Sequence, residues 1–289
     1  MKKILVPVDF SEHTEISCKY ALEIAKKFNS EIRLFYSYFD QIVVTDSSFP
    51  TSVDTGTMLN EQLIHDIEVI AKNDIRELQT KISNQIHQEH LKLVKVTYTS
   101  VPGEAEFEIQ EICDEYKPDL IIMGSSGKGK KDLFSGSVSR KIMNRAKVPV
   151  LAIPPIPEYQ EIKNVMYSTE FNDVDVEKIN KLFKNFNDFN INVTCVHFNF
   201  DGKNTDPEQE MNKIKENFKD KIEAGRLSCN IIDCENLEDD LANFVEKNSI
   251  DIIAFISHKT NFFSRLFKHQ QITKSDLFKV NIPLFAMHE

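Results

Sequence analysis

Four segments in the second half of this chain restate four segments of the first, in the same order. Lys163-Asn164-Val165-Met166-Tyr167-Ser168-Thr169-Glu170-Phe171 echoes Lys2-Lys3-Ile4-Leu5-Val6-Pro7-Val8-Asp9-Phe10, and Asn192 to Phe198 answers Glu31 to Tyr38. Asp251 to Ile256 answers Asp119 to Gly124, and Ile282-Pro283-Leu284-Phe285-Ala286-Met287 matches Val148-Pro149-Val150-Leu151-Ala152-Ile153. With no short period inside either half, such a duplication calls for two copies of one fold rather than a solenoid. Pro154, Pro155 and Pro157 fall between the copies, where they can continue neither helix nor strand and make a stiff connector. The expected domains are residues 1–155 and 159–289.

Within the first copy, strand-length apolar runs alternate with helical periodicity. Ile4 to Val8 reads as a strand. Ile16, Tyr20, Ala21, Ile24, Ala25 and Phe28 then recur at helical spacing, with Ser11 placed to cap that helix. Glu31 to Tyr38 is a second strand, so the chain opens with a βαβ unit whose strands should be parallel and whose crossover should be right-handed. Beyond a loop-like stretch at 45–57, a long helix carries Leu59, Leu63, Ile67, Ile70, Ile75, Leu78 and Ile82 on one stripe. Leu91 to Thr99, Leu120 to Met123 and Val148 to Ile153 supply three more strands, and Lys117-Pro118 stops the helix before the second of these. The pattern is α/β: two tandem, doubly wound domains, each built on a five-stranded parallel sheet.

A net charge of -10 makes nonspecific binding to nucleic acid a poor expectation. No segment approaches the roughly 20 apolar residues of a membrane span, and Met1-Lys2-Lys3 leads straight into a strand, so no membrane partner and a cytoplasmic location are expected. Cys18, Cys113, Cys195, Cys229 and Cys234 form no regular framework and read as reduced structural thiols.

The chemistry-bearing stretch begins where Asp119 to Met123 opens into Gly124-Ser125-Ser126-Gly127, followed by a basic loop and Gly136-Ser137-Val138. Strand, glycine loop and helix in that order let backbone N–H groups and a helix N-terminus hold a phosphate, with Lys128, Lys130 and Lys131 on the rim. The glycines permit close approach and positive φ. No Gly-Lys-Ser/Thr ends the run, so it is not a P-loop, and it lies too late in the domain to be a dinucleotide fingerprint. Asp9 ends the first strand, which should lie beside the fourth at the switch point, where a carboxylate can meet a ribose or adenine edge or cap the first helix. His87 and His90 lack a metal spacing and read as a solvated helix end, and Cys229 and Cys234 lack that of a zinc knuckle. No nucleophile elbow is present.

At these residues the chain resembles the universal stress protein family, over essentially its whole length as two tandem domains. Pro7, Val8 and Asp9 match that family's first-strand motif, and Gly124, Gly127, Gly136 and Ser137 match its late glycine motif, with eight residues between Gly127 and Gly136 where the family has nine. The resemblance implies strand order 3-2-1-4-5 in each half, an adenine nucleotide alpha hydrolase-like fold, and an ATP site in the first half. It places Asp9 at ribose or adenine, Ser37 near the adenine contact of the second strand, and Met123 by the ribose. The glycines, Lys128 and Ser137 fall around the phosphates, with Val138 behind them. ATP, with Mg2+ and with Asp132 as a candidate to assist the metal, is the implied cofactor, and ATP sensing in a stress response is the implied role. Slow ATP hydrolysis and a scaffold without nucleotide are the alternatives.

The second half has Ile256-Ser257-His258-Lys259-Thr260 where the first has its glycines, and Glu170 where the first has Asp9. No nucleotide is expected there. Phe262, Phe263 and Phe267 in the following loop are expected to pack locally or to meet the other domain, a protein partner or a second copy.

Overall fold

The computed structural model describes residues 1–38, 53–125, 137–200, 206–234, 236–257 and 281–288, with side chains in the second helix from residue 62 and in the fourth from residue 138. The first half runs β1 (Lys3–Pro7), α1 (Thr14–Phe28), β2 (Glu31–Tyr38), α2 (Val53–Gln88), β3 (Lys95–Pro102), α3 (Ala105–Tyr116), β4 (Leu120–Gly124), α4 (Ser137–Arg145) and β5 (Val150–Ile153). The second runs β6 (Asn164–Ser168), α5 (Asp175–Asn185), a 3-10 turn (Asn187–Phe189), β7 (Asn192–Asn199) and α6 (Pro207–Asn217). It continues through α7 (Lys219–Glu223), β8 (Leu227–Asp233), α8 (Leu237–Lys247), β9 (Ile252–Ile256) and β10 (Leu284–Met287).

All strands join one sheet in the order β3-β2-β1-β4-β5-β10-β9-β6-β7-β8. Each half is parallel throughout and repeats the order 3-2-1-4-5. The halves meet at β5 and β10, which run antiparallel with Phe285 opposite Leu151. The C-terminal ends of the two sets of strands therefore point to opposite edges of the sheet, so any strand-end site of one half is remote from that of the other.

Because side chains alternate across a strand, the apolar runs feed two cores. Ile4, Val6, Leu120, Ile122, Leu151 and Phe285 face α1, α2 and α5, while Leu5, Ile121, Val150 and Ala286 face α3, α4 and α8. Both cores cross the seam. The duplication reaches single atoms: Asp119 Oδ2 accepts from the Lys2 and Lys3 N–H groups (2.5 and 3.0 Å), and Asp251 Oδ2 accepts from those of Lys163 and Asn164 (2.9 and 2.7 Å).

Several local expectations shift. The proline connector is no free linker: Ile156 and Ile162 are buried in the α1-side core, and Tyr159 packs edge-on against Tyr20 at 4.8 Å. Helix α2 buries only the later part of its stripe. Ala71, Ile75, Ile82 and Ile86 are inside, whereas Leu63 and Ile70 are exposed. At 36 residues the helix is about 54 Å long, twice the reach of the strands beneath it, so the sheet covers only one end. Ser11 does not supply the side-chain cap of α1. His13 is the N-cap residue, and Ser11 Oγ accepts from the His13 N–H instead.

Gly103 turns the chain from β3 into α3 at φ +137°, and a Cβ there would collide with the Glu108 side chain. Gly103→Ala is therefore expected to lower stability by about 1–3 kcal/mol in denaturant unfolding. An unchanged midpoint would show that this turn relaxes freely.

Candidate functional site

β1 and β4 lie side by side, with Leu5 opposite Ile121, and their C-terminal ends open at the point where the strand order reverses. Pro7 closes the pairing of β1 with β2, and the buried Val8 donates its N–H to the Phe35 carbonyl (2.8 Å). Asp9 follows, exposed to solvent. Its Oδ1 accepts from the Ser11 N–H (3.0 Å) and the Thr14 hydroxyl (3.3 Å), which fixes the carboxylate at the rim.

Phe10 takes the left-handed conformation, φ 53°, and its ring meets Tyr36 edge-on at 4.8 Å. That conformation costs an L-residue about 1 kcal/mol, and it recurs at Phe171 (φ 58°) in the second half, where the ring lies on His197. Among the described residues of this rim, the positive φ belongs to Phe10. Gly124 continues β4 in register with Ile153.

Ser37 extends β2 two residues past its last partner in β1, Pro7↔Phe35. Sides alternate along a strand, so the bond from Val8 to Phe35 O and that from the Gly103 N–H to Tyr38 O (2.9 Å) put the Ser37 amide and carbonyl on the β1 side, beyond the end of β1. A planar ring with edge donors and acceptors would find both groups there.

At the end of β4, Met123 is buried and Gly124 half-buried. Ser125 is fully buried; its N–H donates to Ile153 O (2.8 Å) and its carbonyl accepts from the Ser139 hydroxyl (2.7 Å). The bond from Ser139 pins the first turn of α4 to the end of β4. That turn, which starts at Ser137 and includes the half-buried Val138, contains no acidic side chain to compete for an anion. The Ser125 Oγ has no hydrogen-bond partner, a state that leaves a buried polar group unsatisfied by about 1–3 kcal/mol. A polar ligand group beside Gly124 would satisfy it.

The structure thus brings Pro7, Val8, Asp9, Ser37, Met123, Gly124 and Val138 to one end of the sheet, with the start of α4. Gly127, Lys128 and Gly136 lie outside the described residues, as do Lys130, Lys131, Asp132 and the side chain of Ser137. Sequence reasoning passed over Ser139 and Thr14 as positioning groups, and named Ser125 only as part of the glycine run. Among the described residues no cluster of His, Cys, Asp and Glu could hold a metal, and no helix is long and apolar enough to cross a membrane. A cavity of about 1000 Å³ lies between α1, α2 and the connector, and its lining reaches Glu12 and His13 in the turn that follows Asp9.

The second half keeps the frame and changes the rim. Ser257 repeats Ser125, buried with an unpartnered hydroxyl and an N–H bond to Met287 O (3.0 Å). The buried carboxylate of this half, however, is Asp175, in the position of Thr14, while Glu170 at the position of Asp9 is half-buried. Asp175 accepts from the Tyr167 hydroxyl (2.5 Å), the Thr169 hydroxyl and the Asn172 N–H (2.9 Å). The loop from His258 through Phe262, Phe263 and Phe267 lies outside the described residues.

A doubly wound α/β protein with its strand-end rim at the switch point, duplicated across an antiparallel seam, is the class this geometry defines. The sequence model of the universal stress protein family matches residues 1–154, and the chain belongs to that family. It is 30% identical to Universal stress protein MJ0531 of Methanocaldococcus jannaschii over 154 residues, which is 53% of this chain and 81% of that protein. It is 28% identical to Universal stress protein YxiE of Bacillus subtilis, over 52% of this chain and 97% of that one. A universal stress protein structure from Archaeoglobus fulgidus superposes with a TM-score of 0.65 at 17% identity, covering 99% of this chain and 96% of that one. The likeness in fold therefore spans both halves.

Proposed function

We propose that the first half, residues 1–155, binds ATP or a related adenine nucleotide with magnesium and acts as a ligand-sensing module in a stress response, while residues 159–289 form a partner domain without nucleotide. The observation that carries this reading is one juxtaposition: an accessible, fixed carboxylate at Asp9, just past the end of β1, and a buried, unpartnered Ser125 hydroxyl just past the end of the neighbouring β4, where Ser139 ties the chain to the first turn of α4. Ser257 repeats the hydroxyl, but in that half the position of Asp9 holds Glu170, which is half-buried rather than exposed, and the buried carboxylate Asp175 is already committed to three protein donors. In this reading Asp9 holds ribose or adenine, the Ser37 backbone meets adenine, and Met123 lines the ribose. Gly124, Gly127, Lys128, Gly136 and Ser137 surround the phosphates with Val138 behind. Bound nucleotide supplies the signal, and the chain's own groups bind and orient it.

Titration of the full chain with ATP, with and without Mg2+, tests the reading. One nucleotide per chain is expected, weakened about tenfold to a hundredfold in Asp9→Ala, the loss of a hydrogen bond to a charged group. Ser125→Ala should weaken binding while stabilising the ligand-free chain by about 1 kcal/mol, since it removes an unsatisfied buried hydroxyl. No binding by the wild type would leave a scaffold, and two nucleotides per chain would overturn the asymmetry.

A further inference from the structure

β8 is an edge strand, and its Cys229 stands in register with Cys195 of β7. Neighbouring strands lie about 4.8 Å apart, inside the range of about 4.4–6.8 Å between Cα atoms that a disulfide spans. Both side chains project to the same face of the sheet, into the core beneath α6. The two thiols differ in access. Cys195 is fully buried between β6 and β8, whereas Cys229 is half-buried at the sheet edge. We propose that Cys229 and Cys195 form a peroxide-oxidisable dithiol, with Cys229 the attacking sulfur and Cys195 the resolving one.

The environment favours that division of labour. A hydrogen bond from Cys195 holds the Cys229 thiol below its ordinary value of 9.0, Lys215 of α6 adding to the effect against partial burial. Cys195 is pushed well above that value by the same bond and by burial. Cys18 and Cys113 provide a contrast within the chain: burial pushes each up to about 12. The Cys229 thiolate attacks one oxygen of a hydroperoxide. An S–O bond forms, the O–O bond breaks, and the departing alkoxide or hydroxide takes up a proton, leaving Cys229 as the sulfenic acid. The Cys195 sulfur then attacks the Cys229 sulfur; its proton leaves with the hydroxyl as water, and the S–S bond closes. Two thiols are oxidised by two electrons and one hydroperoxide is reduced to an alcohol, or to water from hydrogen peroxide itself. The product staples the edge strand to its neighbour.

The test is oxidation of the full-length reduced chain with hydrogen peroxide, followed by thiol counting and peptide mapping. Two thiols per chain should disappear. The peptides carrying Cys195 and Cys229 should appear cross-linked, assigned by fragmentation to Cys229 rather than Cys234, and dithiothreitol should release them. Before oxidation, iodoacetamide should label Cys229 at least about tenfold faster than Cys18 or Cys113. In Cys195→Ser, a dimedone adduct should accumulate on Cys229. Wild-type mapping alone decides the matter if that variant does not fold. Both thiols remaining free, a first adduct on Cys195, or Cys229 over-oxidising without a cross-link would each overturn the proposal.

Discussion

Replacing Phe285 with alanine is expected to destabilise the whole chain by about 3–5 kcal/mol and to leave one unfolding transition. Phe285 is fully buried in β10, stands opposite Leu151 across the seam, and meets the Phe186 ring at 5.3 Å. The core it occupies contains side chains from both halves, as does the core on the other face. The cavity therefore weakens both copies at once. The check is denaturant unfolding followed by circular dichroism and by tyrosine fluorescence, with Phe107→Ala as control. Phe107 is 60% exposed, and its loss should shift stability by less than about 0.5 kcal/mol. Two separated transitions, with only one of them displaced by Phe285→Ala, would show that the halves fold as independent units despite the shared cores.

Strands buried on both faces are the most legible elements in this sequence. Leu120 to Met123 and Val148 to Ile153 read as continuous apolar runs because helices cover them on either side. The seam falls on the two matching runs, Val148 to Ile153 and Ile282 to Met287, which carry Pro149 and Pro283 at equivalent places. Element edges were less legible. β3 starts at Lys95 rather than Leu91, and the stripe of α2 outruns the sheet that could bury it. Periodicity records which face is apolar, not how far the neighbouring layer extends.

The candidate site divides in the same way. The positions of Asp9, Met123 and Gly124 were legible because each lies at or just past the C-terminal end of a strand whose neighbours topology fixes. The unsatisfied state of Ser125 was not, because burial of one hydroxyl depends on how α4 docks. Nor was the fate of the rim charge in the second half. The sequence matches Glu170 to Asp9, whereas the buried carboxylate of this half is Asp175, which aligns with Thr14. Each carboxylate accepts from a threonine hydroxyl, Asp9 from Thr14 and Asp175 from Thr169, but Thr169 aligns with Val8 rather than Asp9, so no residue-for-residue exchange marks the change in the sequence.

Asp175 should accordingly govern the stability of the second half. Tyr167, Thr169 and Asp175 are all buried, and Asp175→Ala leaves two hydroxyls and the Asn172 N–H without their acceptor. A loss of about 3 kcal/mol or more is expected at neutral pH, from the desolvation penalties of those groups. Burial pushes the Asp175 carboxyl above its ordinary 3.8, against hydrogen bonds from Thr169, Tyr167 and Asn172 that pull it down. In the window between that ordinary value and the raised one, the folded chain holds more protons at this site than the unfolded chain. Its contribution is then fully present below the ordinary value and is lost as pH rises through the raised one. Asp175→Asn has no proton to lose. The stability of the wild type minus that of Asp175→Asn should therefore fall with rising pH across the window and become flat above it, other acids cancelling in the difference. Urea unfolding of both chains over that range measures it. A difference that grows with pH would mean that the three donors hold the ionised carboxylate more strongly than burial opposes it.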